Sequence, residues 1–259
     1  SIGTISRGLV SLEKLNGLEK RLKEASQDRH LQNETVAKTP PHIALRNISL
    51  TYRSLSDDDC FKVGPVNLEL KPNEVLFIAG PNGSGKTTLL KLLTGLYWHD
   101  EGHIEVDGKI LSAGQVTDYR QLFSAVFTDY HLFSELYGID NPDRQQVSGL
   151  LEKFDLAHKT HLENGRFSTI NLSSGQRKRL ALTAMLLEDR PIIVFDEFAA
   201  DQDPKFREYF YELLLPDLKR KGKTVLAISH DDRYFGCCDR LIKLDLGGIV
   251  SEEIITGGH

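Results

Sequence analysis

Residues 75–88 read Val75-Leu76-Phe77-Ile78-Ala79-Gly80-Pro81-Asn82-Gly83-Ser84-Gly85-Lys86-Thr87-Thr88. The first five are apolar and bounded by Gly-Pro, which is the length and composition of a buried strand. A helical pattern follows over 86–96. Between them the glycines let the chain turn tightly so that several N–H groups converge on one point. A helix starting near Lys86 aims the positive end of its dipole at the same point. The spacing G-x-x-x-x-G-K-T in this strand–loop–helix context is a phosphate cradle, with Gly80 to Thr88 as its candidate contacts. Lys86 is expected to reach the β- and γ-phosphates, and the Thr87 hydroxyl to ligate Mg²⁺.

Working outward, further short apolar runs occupy 191–195 and 224–228, and helical patterns occupy 175–188 and 205–220. Strands alternating with helices predict an α/β fold, a mostly parallel sheet covered on both faces. Before the loop the pattern differs. Ile43, Leu45, Ile48, Leu50 and Tyr52 alternate in part, Val66, Leu68 and Leu70 more cleanly, and Asp107-Gly108 marks a hairpin over 104–110. These predict antiparallel strands. Residues 132–170 carry no strong strand pattern and read as a mostly helical insert. At the start, Leu12, Leu15, Leu18 and Leu22 form an apolar stripe on a helix over 8–25. Polar residues 26–41, ending Thr39-Pro40-Pro41, read as a linker. The expected organisation is an N-terminal helix and linker, 1–41, and a main domain, 42–259.

The chain has 259 residues, 40% hydrophobic and 27% charged, with a formal net charge of −5. That composition is ordinary for a globular protein, and the acidic balance argues against a nucleic-acid partner. Cys60, Cys237 and Cys238 fit no zinc spacing or disulfide framework, so the expectation is reduced thiols and no structural metal. No apolar run approaches the roughly 18 residues of a membrane span. The only methionine is Met185, and the chain is read as a piece of a longer protein.

Two other stretches carry chemistry. Ile192-Ile193-Val194-Phe195-Asp196-Glu197 is a buried strand running into two carboxylates, and a bound cation would offset that charge. In parallel sheets ligands sit beyond the carboxyl ends of the strands. Asp196 is thus placed to hold Mg²⁺, and Glu197 to polarise the attacking water. Leu172-Ser173-Ser174-Gly175-Gln176 precedes the helix to 188. It reads either as a second anion site at a helix start or as an ordinary N-cap at Ser173.

The phosphate loop, then Leu172-Ser173-Ser174-Gly175-Gln176, then a strand ending Asp196-Glu197, in that order, resembles the nucleotide-binding domain of ABC transporters over residues 42–255. The resemblance implies a P-loop NTPase fold with a RecA-like core sheet, an antiparallel β subdomain and a helical subdomain at about 130–180. It implies ATP and Mg²⁺, and a head-to-tail homodimer in which Ser173, Ser174, Gly175, Gln176 and Asp203 of one copy meet ATP held by the other. Tyr52 matches the aromatic that stacks on adenine, and His230 the switch histidine near the γ-phosphate; with Glu197 and Lys86, His230 completes the implied catalytic set. Thr128 stands where the family usually has a glutamine, so its hydroxyl either approaches the metal with shorter reach or takes no direct part.

The appended helix resembles exporters that fuse membrane and ATPase domains. The stretches 123–133 and 196–204 resemble the cyclic-peptide and siderophore exporter branch. That resemblance implies a transmembrane partner domain, a peptide or siderophore precursor as cargo, and a location on the cytoplasmic face of the bacterial inner membrane. A soluble ABC ATPase without transport and a slow-hydrolysing nucleotide-gated module are the alternatives.

Overall fold

A computed structural model describes residues 38–53, 60–139 and 142–255. The expected helix over 8–25 lies outside them. A six-stranded sheet forms the centre, in the order β12-β11-β3-β10-β9-β6. Its strands are β3 (Val75–Ala79), β6 (Phe123–Val126), β9 (Ile192–Asp196), β10 (Thr224–Ile228), β11 (Arg240–Asp245) and β12 (Gly248–Ile254). All neighbours pair in parallel except β12, which runs antiparallel to β11.

The reason the central strands are apolar without alternation is visible in β3. Val75, Phe77 and Ala79 enter one core and Leu76 and Ile78 enter the other. Both faces of the sheet are covered, so both side-chain sets are buried. On one face pack α4 (Ser174–Glu188), α5 (Pro204–Glu208), the π-helical turn Tyr209–Leu214 and α6 (Leu215–Arg220), through Leu180, Phe206, Phe210, Leu214 and Leu218. On the other lies α1 (Lys86–Leu93), which buries Leu89, Leu90, Leu92 and Leu93. Burying one such side chain contributes about 1.5–3 kcal/mol. These leucines therefore anchor the phosphate loop from behind.

The same second core receives the antiparallel sheet β2-β1-β4-β5, formed by β1 (Ile43–Arg53), β2 (Cys60–Leu70), β4 (Glu101–Val106) and β5 (Lys109–Ile110). The expected hairpin sits at Asp107-Gly108, where φ is 49° and 76°. Two positive φ values suit Asp-Gly in a tight two-residue turn.

Three expectations need correction. The insert over 132–170 is not mostly helical: its one described helix is α3 (Arg144–Lys153), and a small hairpin joins β7 (Leu162–Glu163) to β8 (Arg166–Phe167). Two-residue strands hold too few side chains to show any periodicity. The helix after the phosphate loop ends at Leu93, not residue 96, because Gly95 adopts φ 70° just beyond it. The carboxylate-bearing strand spans 192–196 and so carries Asp196 inside it.

Candidate active site

The loop between β3 and α1 takes the conformations that its glycines permit. Gly80, Gly83 and Gly85 have φ values of 146°, 78° and 96°. A Cβ on Gly80 would collide with the main-chain oxygen of Leu244, so the close approach of β11 excludes any side chain there. Gly85 is the N-cap of α1, and no side chain caps it. The Ser84 hydroxyl is buried in this loop without a hydrogen-bond partner. Lys86 is 5% exposed, and its ammonium donates to the carbonyls of Gly80 and Pro81 at 3.0 and 2.8 Å. Burial lowers its pKa, while the charges of Glu197 and Asp196 work to raise it. A buried cation, an uncapped helix start and an orphaned hydroxyl together fit a phosphate group.

Asp196, at the end of β9, is fully buried. Thr87 Oγ1 lies 3.2 and 3.1 Å from its two carboxylate oxygens. Thr128 donates from its N–H to Oδ2 at 3.3 Å and from its hydroxyl to the Asp196 carbonyl at 3.2 Å. Thr128 is thus held against Asp196. Burial pushes the Asp196 pKa up and the Glu197 charge adds to this, while the bonds from Thr128 and Thr87 oppose it. A buried carboxylate beside a threonine hydroxyl suits a hard, oxygen-seeking cation. Among the described residues no cluster of three His, Cys, Asp or Glu could hold a metal by itself. Such a donor set suits a cation that completes its shell with phosphate and water.

Glu197 departs from regular geometry, with φ 50° and ψ 36°. The left-handed region costs a non-glycine residue about 1–2 kcal/mol, and such strain clusters at functional sites. The twist swings the side chain toward β10. His230, just beyond that strand, brings Nε2 to 2.8 Å from Glu197 Oε1. With Glu197 ionised, Nε2 carries the proton between them. The Ser229 hydroxyl accepts the Asp231 N–H at 3.2 Å and meets the Tyr211 hydroxyl at 2.8 Å, which fixes the turn that bears His230. A cleft of about 330 Å³ opens beside the pair.

Ser173 to Gln176 sit at the start of α4. Ser173 Oγ accepts the Gln176 N–H at 3.4 Å, and Gln176 Oε1 accepts the Ser173 N–H at 3.2 Å, a reciprocal capping box. The ordinary N-cap is therefore present. Among the described residues, Ser173, Ser174, Gly175 and Gln176 form no hydrogen bond with Gly80 to Thr88. Asp203 caps α5, accepting the Phe206 N–H at 3.0 Å, and pairs with Arg179. Tyr52 pairs with Phe61 between β1 and β2; its side chain lies outside the described residues.

The sequence reading missed several residues that tie these parts together. Arg179 donates to the Gln202 side-chain oxygen at 2.9 Å, and Gln202 donates back to the Gly175 carbonyl at 3.2 Å. Lys178, 4% exposed, donates to the Glu197 carbonyl at 3.0 Å. The one signal was the run Arg177-Lys178-Arg179 on a helix that also has to pack against the sheet.

The chain is similar to several known proteins. The family model described as ABC transporter matches residues 63–200. The ATP-binding protein SyrD of Pseudomonas syringae pv. syringae is 48% identical over 214 residues, which cover 81% of this chain and 38% of that protein. The ATP-dependent lipid A-core flippase of Burkholderia pseudomallei (strain 1710b) is 29% identical, covering 98% of this chain and 43% of that protein. The chain thus spans less than half the length of these relatives. A dimeric ATP-binding cassette in a post-hydrolysis state, bound to ADP and Pi, superposes with a TM-score of 0.69 at 26% identity, covering 83% of this chain and 99% of the other. A bacterial Atm1-family ABC exporter with ATP bound shares the fold, with a TM-score of 0.71 at 23% identity over 97% of this chain and 45% of the other. A phosphate loop with a buried lysine, a carboxylate strand and a Leu-Ser-Ser-Gly-Gln helix start, lying within the span of the family match, mean that the chain belongs to the ABC transporter family, as an ATPase domain.

Proposed function

We propose that the chain hydrolyses Mg²⁺-bound ATP between two copies of itself and so powers an exporter. The observation that carries this reading is the pair Glu197 and His230, 2.8 Å apart, beside the carboxylate that contacts Thr87. Gly80 to Thr88 would cradle the phosphates and Tyr52 would stack on adenine. Thr87 and Asp196 would hold Mg²⁺, which neutralises phosphate charge when bound. Glu197 would take the proton of the attacking water, and His230 would orient Glu197 and meet the γ-phosphate. Ser173 to Gln176 and Asp203 of the second copy would close the site. The ATP then joins the two copies, and loss of its γ-phosphate releases them.

Similarity to a lipid A-core flippase and to an Atm1-family exporter supports a transmembrane partner domain in the parent protein and a place on the cytoplasmic face of the inner membrane. Among the described residues no helix is long and apolar enough to cross a membrane. A peptide or siderophore precursor is the proposed cargo, supported by the resemblance of 123–133 and 196–204 to exporters of that branch.

Steady-state ATP hydrolysis and size-exclusion chromatography test the reading. Glu197→Gln is expected to lower kcat by about a hundredfold or more and to accumulate an ATP-dependent dimer. Activity equal to the parent would remove Glu197 from its role.

A further inference from the structure

Lys178 has no part in the site as described, yet it is a buried cation. It lies on α4, four residues after Ser174, so both project from one face of the helix near its start. Its ammonium makes two bonds: to the main-chain oxygen of Glu197 at 3.0 Å, and to Asp201 Oδ2 at 2.8 Å. The Lys178 side chain is 5% exposed and that of Asp201 50%. Burying an ammonium is costly unless it is paired and hydrogen-bonded, and here it is both.

The Glu197 bond is the informative one. The left-handed backbone of Glu197 turns its carbonyl toward α4, where it accepts from the Lys178 ammonium. Asp201 lies in the 3₁₀ turn Phe198–Asp201 that follows Glu197 directly. The same end of α4 is laced to the next residues, since Arg179 holds Gln202 and Asp203, and Gln202 holds the Gly175 carbonyl. The start of α4 and residues 201–203 are therefore one linked body. Among the described hydrogen bonds, Lys178 is the side chain that joins this body to Glu197.

We infer that Lys178 is a positioning residue for hydrolysis, coupling engagement of the Ser173–Gln176 helix start to the aim of the Glu197 carboxylate. The inference rests on the proposed roles of Glu197 and of that helix start. When α4 shifts on meeting the partner's ATP, the ammonium carries the shift to the Glu197 peptide. Rotation of that peptide moves the carboxylate relative to His230 and the attacking water. A misplacement of about 1 Å costs about a hundredfold in rate.

The test uses the whole chain with Lys178→Met, Lys178→Gln and Glu197→Gln. Steady-state kcat, equilibrium binding of a fluorescent ATP analogue and thermal melting are measured for each. Lys178→Met keeps the length and loses both bonds; kcat is expected to fall at least about tenfold with the binding constant within about threefold of the parent. Lys178→Gln keeps a donor, and its kcat is expected to recover to within about threefold of the parent. Should Lys178→Met fail to fold, Lys178→Ala takes its place, with the same fall in kcat at unchanged affinity expected and a parent-like kcat overturning the inference. A parent-like kcat in Lys178→Met, or kcat, affinity and melting temperature falling together in both variants, would overturn the inference. Glu197→Gln separates the two levels. If it stays active, the assignment of the base fails; if it is inactive while Lys178→Met is unaffected, only the role of Lys178 fails.

Discussion

Among the described residues two helix starts are candidate anion sites, and they are built oppositely. At α1 the N-cap is Gly85 in a left-handed conformation with no side-chain cap, and the buried Ser84 hydroxyl beside it has no partner. At α4 the N-cap Ser173 is closed on Gln176 by reciprocal hydrogen bonds. The first start is open within its own chain and needs a ligand to complete it. The second is complete by itself, so a phosphate there has to compete with an existing cap. A helix start of the first kind can bind nucleotide alone. One of the second kind suits an added contact, made only when another copy brings a phosphate already held elsewhere.

One substitution applied to both starts sharpens this contrast. Gly80→Ala places a methyl group against the Leu244 carbonyl on a backbone at φ 146°. Backbone strain and displacement are expected to weaken binding of a fluorescent ATP analogue by about a hundredfold. Gly114→Ala, outside the loop, is the control, because a Cβ there has nothing within 4 Å and the backbone is not in the left-handed region; its binding should stay within about twofold of the parent. Gly175→Ala comes next in size. Its Cβ would lie 2.8 Å from the Asp201 carbonyl, which pries α4 from the turn after Glu197. Nucleotide affinity should hold while kcat falls about tenfold. If Gly175→Ala abolished binding to the isolated chain and Gly80→Ala did not, the assignment of the two starts would be reversed.

The smallest expected effect is thermal and concerns Asp196. Burial raises its folded pKa, so the folded chain holds that proton to higher pH than the unfolded chain does. Above both pKa values the ionised folded form carries the whole penalty, which fades as pH falls through the folded pKa. Asp196→Asn removes the charge and is expected to raise the melting temperature of the magnesium-free chain by about 3 °C. The same variant should lose magnesium-dependent ATP hydrolysis. A lower melting temperature would mean that the hydrogen bonds of Asp196 outweigh its desolvation.

Much of the site was legible because its signals are local. The glycine spacing of the phosphate loop, the apolar strand ending in Asp196 and the serine before α4 each lie within one short segment whose backbone demands particular residues. The fold was less evenly legible. β11 and β12 left no clear pattern, since Arg240 is buried in β11 against Glu74 and Glu252, partners 166 and 12 residues away. A charged residue inside a strand hides the apolar pattern that would announce it. The π-helical turn at Tyr209–Leu214 was invisible for a related reason: Phe210 and Tyr211 pack on Phe195 and Phe77 of different strands, and that packing is not written in helical spacing.

The sequence by itself determined which segments carry the chemistry, because phosphate cradles and carboxylate strands are set by neighbours a few residues apart. Only the tertiary structure decided how they act together. It set Thr128 against Asp196 and drew His230 to Glu197. It also buried Lys178 between α4 and the Glu197 carbonyl. These contacts join residues 19 to 68 positions apart in the chain, and at Asp196 and Lys178 burial removes the water that would otherwise serve as partner.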